Sequence, residues 1–91
     1  MELDIQHDRA AGVFSALVDG EHCELDYHLD GTTMTITHTG VPPAVGGRGI
    51  AGALTRHALG VARLEGWKVV PACSYAREFF ARNNAYADLL A

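Results

Sequence analysis

Val41-Pro42-Pro43-Ala44-Val45-Gly46-Gly47-Arg48-Gly49-Ile50-Ala51-Gly52 is the segment where the hydrophobic period of the chain changes. After it, Ile50, Leu54, Ala58 and Val61 recur at the spacing of one helical face, and Gly66 ends the pattern. Before it, apolar and polar residues alternate with the period of a half-buried strand. The segment therefore turns a strand into a helix, and its glycines sit at the helix start. About four amide N–H groups at a helix start lack intrahelical acceptors, and the macrodipole adds partial positive charge there. Without Cβ atoms, the backbone can approach an anion such as a pyrophosphate closely. Gly46, Gly47, Gly49, Ile50 and Ala51 are the expected phosphate-binding stretch, with Arg48 adding a charge-assisted contact from the rim. The competing reading of the same glycines is conformational: a tight connection that serves only backbone geometry.

Two better-known phosphate motifs do not fit. A P-loop closes with Gly-Lys-Ser/Thr, which Gly49-Ile50-Ala51 does not supply. A dinucleotide fingerprint opens a parallel βαβ unit, whereas four antiparallel strands are expected ahead of this turn.

Those strands follow from alternation. Phe14, Ala16 and Val18 alternate up to Asp19-Gly20. Cys23, Leu25, Tyr27 and Leu29 alternate with Glu24, Asp26 and His28 up to Asp30-Gly31. Met34, Ile36 and His38 then alternate with Thr33, Thr35, Thr37 and Thr39. Both Asp-Gly pairs predict tight type I′ hairpins, and Glu2 to His7 is expected to add an earlier strand. Beyond the helix, Lys68 to Pro71 reads as a short strand, with Trp67, Val69 and Val70 as its apolar content. A second helix is expected from Ser74, taken as its N-cap, through Phe79 and Phe80 to the Asn83-Asn84 break. The order β-β-β-β-α-β-α predicts an α+β (α/β) fold, an antiparallel β-meander followed by α-β-α, spanning 1–91 as a single domain. The helices should cover one sheet face, leaving the threonine-rich side wet. A bare sheet face is also compatible with a homodimer.

Composition bounds the function. Ninety-one residues, 48% hydrophobic and 20% charged, fit one modest core, burying roughly 60–65% of the surface the unfolded chain exposes. Seven basic against eleven acidic residues leave a net charge of −4, so no basic face is expected for nucleic acid. Cys23 and Cys73 form no CxxC pair, and His7, His22 and His28 show no ligand spacing, so no metal is assigned. Neither a leader nor a membrane span is read in the chain, which makes the cytoplasm the expected compartment.

The segment and its surroundings resemble the GNAT-type (acetyl-CoA-dependent) N-acetyltransferase family. The family motif runs Val-x-Pro-x-x-Arg/Gln-Gly-x-Gly-x-Gly/Ala, and Val41, Pro43, Gly47, Gly49 and Ala51 occupy its positions. The resemblance covers roughly Thr35 to Asn83. The chain looks closest to a very short GNAT-like group marked by Thr-His-Thr before the loop and Val-Val-Pro-x-Cys after it, here Thr37-His38-Thr39 and Val69-Val70-Pro71-Ala72-Cys73. It departs from the family at Gly46, where an Arg or Gln is usual. It departs again at Phe80, where a tyrosine usually stands near the departing thiol. The helices that line the acceptor site in longer members have no counterpart in the sequence.

The resemblance implies coenzyme A or acetyl-CoA as cofactor and acetyl transfer to a small amine or a lysine side chain. It places the Val41 backbone against the acyl carbonyl and the amides of Gly47 to Ala51 on the pyrophosphate. Cys73 falls where the larger family often has an Asn beside the acyl arm, and could accept the acetyl group or act on the leaving thiol. The commoner fate of such a cysteine is to be buried and inert. His38 is the best-placed general base, although its position on the Met34–Ile36 face equally suits a core histidine. Tyr75 is expected to pack under the second helix and His57 to lie at the surface. The alternative function is a non-catalytic acyl-CoA-binding module, and a purely structural domain is the third reading.

Overall fold

The computed structural model describes residues 3–91. Five strands form one sheet in sequence order: β1 (Gln6–Asp8), β2 (Val13–Val18), β3 (Glu21–Asp30), β4 (Thr33–Gly40) and β5 (Lys68–Pro71). The first four run antiparallel, and β5 joins β4 in parallel after the crossover helix α1 (Ile50–Glu65). Helix α2 (Ser74–Arg82) follows β5. The expected β-β-β-β-α-β-α order is thus the observed one, and β5 has the expected bounds. The first strand is shorter than expected, since Leu3 to Ile5 lie outside it and Met1 and Glu2 lie outside the described residues.

The two hairpins differ. Val18 pairs with Glu21, so Asp19 and Gly20 form the loop, both with positive φ (50° and 78°), as a type I′ turn requires. Asp30 pairs with Thr33, which makes Gly31-Thr32 the second loop. There only Gly31 has positive φ (62°), the pattern of a type II′ turn rather than the expected type I′ turn on Asp30-Gly31.

Alternation then builds the core. Phe14, Ala16, Cys23, Leu25, Tyr27, Met34 and Ile36 point to one sheet face. Ile50, Leu54, Ala58, Leu59 and Ala62 of α1 and Ala76, Phe79 and Phe80 of α2 close over it. Thr55 is the buried polar side chain of this core, and its hydroxyl donates to the Ala51 carbonyl at 2.8 Å. Among the described residues, the other sheet face carries Thr33 and Thr35 and no helix.

β4 departs from strict alternation. Tyr27 lies opposite Ile36 but Asp26 lies opposite His38, so Thr37 is an extra residue in the ladder. The bulge reverses the faces beyond it. His38, expected in line with Met34 and Ile36, is exposed on the open face, and Thr39 turns inward instead.

After α2 the chain makes a 3₁₀ turn, Asn84–Leu89, which the sequence does not announce. Arg63 holds Asp88 through both carboxylate oxygens (2.7 and 3.2 Å), and Lys68 donates to the Asp88 carbonyl at 2.6 Å. Leu90 then bridges Val69 of β5, and the Ala91 amide donates to the Val69 carbonyl at 3.0 Å. Among the described residues, no helix is long and apolar enough to cross a membrane.

Candidate functional site

The site begins where β5 stops. Its pairing with β4 ends at Ile36–Pro71, and the Ile36 carbonyl accepts from both the Ala72 and Cys73 amides (3.0 and 3.1 Å). Thr37 to Gly40 therefore continue without a neighbour on that side, and the chain enters α2 at the gap.

Cys73, not Ser74, caps α2: its sulfur accepts from the Ala76 amide at 3.3 Å. A thiol here occupies the place an N-cap hydroxyl would take. Thr39, turned inward by the bulge, brings its hydroxyl to 3.6 Å from the same sulfur. Both cysteines are free. Cys23 is fully buried in the core, and burial raises its thiol pKa above the ordinary value.

The glycine loop closes the site from the other side. Pro43–Val45 form one 3₁₀ turn anchored by buried Val45, and the Gly46 amide is taken by the Pro43 carbonyl at 3.1 Å. Gly47 and Gly49 have φ of 76° and 79°, and a Cβ at either would meet no protein atom. Gly49 ends the turn as the N-cap of α1, with no side chain to cap the helix and no acidic residue in the first turn. The first bond of the helix comes from the Ala53 amide to the Gly49 carbonyl, at 3.0 Å. Among the described residues, the amides of Val41 and of Gly47 to Gly52 donate to no protein acceptor. Val41, Gly47 and Gly49 to Gly52 line a cavity of about 230 Å³ with Tyr75 at its edge. A row of free amides at a helix start fits a diphosphate, and the glycines leave room for it.

Of the residues singled out in the sequence, the structure gathers Val41, Gly46, Gly47, Gly49, Ile50 and Ala51 around that cavity. Gly46 contributes surface but no free amide. Arg48 is turned away to Asp19 of the first hairpin, at 2.6 Å. Cys73 and His38 lie at the same end of the sheet but on opposite faces.

On the open face, His38 stands with His22 and Glu24 around a second cavity of about 330 Å³, which shares Val41 with the first. His22 meets Glu24 at 3.1 Å, and Asp26, beside His38 in the ladder, has one carboxylate oxygen buried without a hydrogen-bond partner. Burial, and then the hydrogen bond and negative charge of Glu24, raise the Asp26 pKa. The hydrogen bond from Asp26, helped by the charge of His22, lowers that of Glu24. A Cβ at Gly40 would lie 2.9 Å from His38 Nε2, so a side chain there would have to displace the imidazole.

Thr39, Glu24 and Asp26 went unnoticed in the sequence. Glu24 and Asp26 read as ordinary outward positions of β3, and Thr39 as an outward position of β4. Tyr75 is partly exposed at the cavity edge rather than packed under α2.

The family model described as GCN5-related N-acetyl-transferase matches residues 13–89. The chain belongs to the GCN5-related N-acetyltransferase family. Among solved structures, this family member is similar to the NMR solution structure of a GCN5-like candidate N-acetyltransferase from Staphylococcus aureus. The two are 26% identical with a TM-score of 0.79, over 98% of this chain and 88% of that one. A search of the curated proteins finds no match. The glycine loop, α1, β5 and α2 all lie within the matched residues.

Proposed function

We propose that this protein is an acetyl-CoA-dependent N-acetyltransferase whose acceptor is a cationic small amine or a lysine side chain. The observation that carries the proposal is the set of free amides from Gly47 to Gly52 beside the gap between β4 and β5. Gly47 to Ala51 would hold the diphosphate, and Val41, at the gap, would meet the acyl end. When bound, acetyl-CoA would supply an activated acyl group; as the C–N bond forms and the C–S bond breaks, an ammonium acceptor would give up two protons, one to His38 and then solvent and one that ends on the departing thiol.

The residues divide this work by face. The Val41 amide would donate to the acyl oxygen, where negative charge develops. On the open face, Glu24 and Asp26 attract an ammonium group, and His38 takes the proton that must leave before or during attack. On the inner face, Thr39 and Cys73 would be the groups able to supply a proton to the departing thiolate. Val41 lines both cavities, which supports a reading in which the acceptor and the acyl group would meet at that residue.

The test is calorimetric titration of coenzyme A and acetyl-CoA into the wild type and a Gly49→Asp variant, followed by an amine panel scored for thiol release and acetylated product. Binding that the aspartate abolishes, together with turnover, supports the enzyme. Binding without turnover on any amine assigns the chain to the non-catalytic module. No binding at millimolar ligand removes both.

A further inference from the structure

The glycine loop lacks the usual means of holding its shape. Gly47 and Gly49 have φ of 76° and 79°, yet a Cβ at either would meet no protein atom, so no packing selects that sign of φ. Glycine takes positive and negative φ about equally readily. No side chain caps α1, and among the described residues the amides of Gly47 to Gly52 donate to no protein acceptor. Val45 and Ile50 are buried and anchor the two ends. Between them the loop carries a single side chain, that of Arg48.

Arg48 supplies the missing constraint. Its Nη1 donates to Asp19 Oδ2 at 2.6 Å, across 29 residues of sequence. Among the described residues this is the hydrogen bond that ties residues 46–49 to a distant element, since the Gly46 amide and the Gly49 carbonyl bond only to near neighbours in the chain. Asp19 is a firm point of attachment. It lies in the two-residue turn closed by the Val18–Glu21 pair, and among the described residues it is the non-glycine residue with positive φ. The turn itself does not require an acid. Asn at this position suits a type I′ turn as well as Asp does, so the charge of the carboxylate serves Arg48 rather than the hairpin.

We infer that Asp19, acting through Arg48, is a positioning residue for the anion-binding loop: the first hairpin holds the backbone between Gly47 and Gly49 in its ligand-binding shape before a ligand arrives. The inference rests on the coenzyme A reading of that loop. It gives Arg48 a role opposite to a phosphate contact, because its guanidinium is held away from the cavity by Asp19. A loop already in its binding shape loses less conformational freedom on binding than one that must first be ordered. The two side chains are 41% and 67% exposed, so the pair adds little to overall stability. Its effect belongs to the loop.

The experiment takes Asp19→Asn, Arg48→Gln and the double variant through coenzyme A calorimetry and backbone nitrogen-15 relaxation of the free proteins. Each single variant should weaken coenzyme A by about two- to fivefold, the scale of an exposed ion pair. The double variant should be no weaker than the singles, since all three remove the same tie. Order parameters of Gly47, Arg48 and Gly49 should drop in every variant while those of Val45 and Ile50 hold. Tighter binding by Asp19→Asn overturns the inference, because Asp19 would then be competing with the ligand for Arg48. Unchanged affinity, additive weakening in the double variant, unchanged order in the loop, or a drop shared by Val45 and Ile50 overturns it as well, while leaving the loop reading intact. Failure of the wild type to bind coenzyme A overturns the loop reading itself, and the role of Asp19 with it.

Discussion

Cys73 does two jobs with one sulfur: it caps α2 and faces Thr39 across the β4–β5 gap. Serine keeps an acceptor for the Ala76 amide, whereas alanine does not. Cys73→Ala should therefore lose about 1 kcal/mol of stability in chemical denaturation, within the usual 0.5–2 kcal/mol of a lost N-cap. Cys73→Ser should stay near the wild type in that measurement and keep its coenzyme A affinity while losing turnover. His38 makes a different kind of demand. His38→Gln should lower the rate of acetyl transfer by about 10²–10⁴-fold, the usual worth of a general base, with coenzyme A affinity unchanged in the same calorimeter. Gly40→Ala should mimic much of that loss, because the new methyl displaces the imidazole without removing it. An unchanged rate in Gly40→Ala would argue against a base at position 38.

At the scale of elements, the bulge at Thr37 shows how far alternation can be trusted. Up to Ile36 the pattern of β4 reads correctly from the sequence, as do the bounds of β5 and the stop at Gly66. One inserted residue then exchanges the roles of two neighbours, sending His38 outward and Thr39 inward. No residue type announces it, since Thr37, His38 and Thr39 are all polar and fit either face. The cap of α2 escaped for a similar reason: Ser74 is the commoner cap by type, but the register places Cys73 there. The glycine loop was legible because helix start, glycine spacing and strand end all coincide in one short segment. The tie between Arg48 and Asp19 was not, because its two residues lie 29 apart in the chain and only the fold brings them together.

β1 offers a prediction of its own. It has three residues, and His7 pins it by bonding the Tyr27 hydroxyl at 2.6 Å while stacking on Phe14 at 3.9 Å. Burial first, and then the charges of Arg9 and His57, lower the pKa of His7 below its ordinary 6.5, outweighing Asp8 and Glu65. The neutral ring is the form the fold prefers, so the unfolded chain binds the proton more readily. The stability His7 contributes is present above pH 6.5 and is lost as pH falls through its lowered folded value. Melting curves should fall more steeply between pH 7 and 5 for the wild type than for His7→Phe. Equal slopes would show that β1 is held by something else.

For the whole molecule, the cavities share lining residues: Val41 borders both the open-face and the loop cavity, and Tyr75 both the loop cavity and a groove between α1 and α2. A ligand that fills two of them ties α1, α2 and the loop together. Coenzyme A at ~100 times its dissociation constant should add about 2.7 kcal/mol, which for a chain of this size is a rise in melting temperature on the order of 10–20 °C. The −4 net charge opposes an anionic ligand at long range, so affinity must come from the local amides and from the Arg48–Asp19 tie that holds them, and should weaken with salt. The order of elements and the one-sided helix layer were readable from the sequence because each strand states its inner face plainly. The path of the last eight residues was not readable, because it rests on Arg63 and Lys68 reaching one aspartate far along the chain.

That path has a consequence for self-association. β5 is a border strand, and a border strand with unsatisfied backbone groups is a template on which another molecule can add its own strand. Leu90 and Ala91 occupy that template within the same chain. Removing residues 84–91 should leave the glycine loop in place yet convert a well-behaved solution into one whose light scattering grows with concentration and time. In this protein the tail is its own guard against polymerisation.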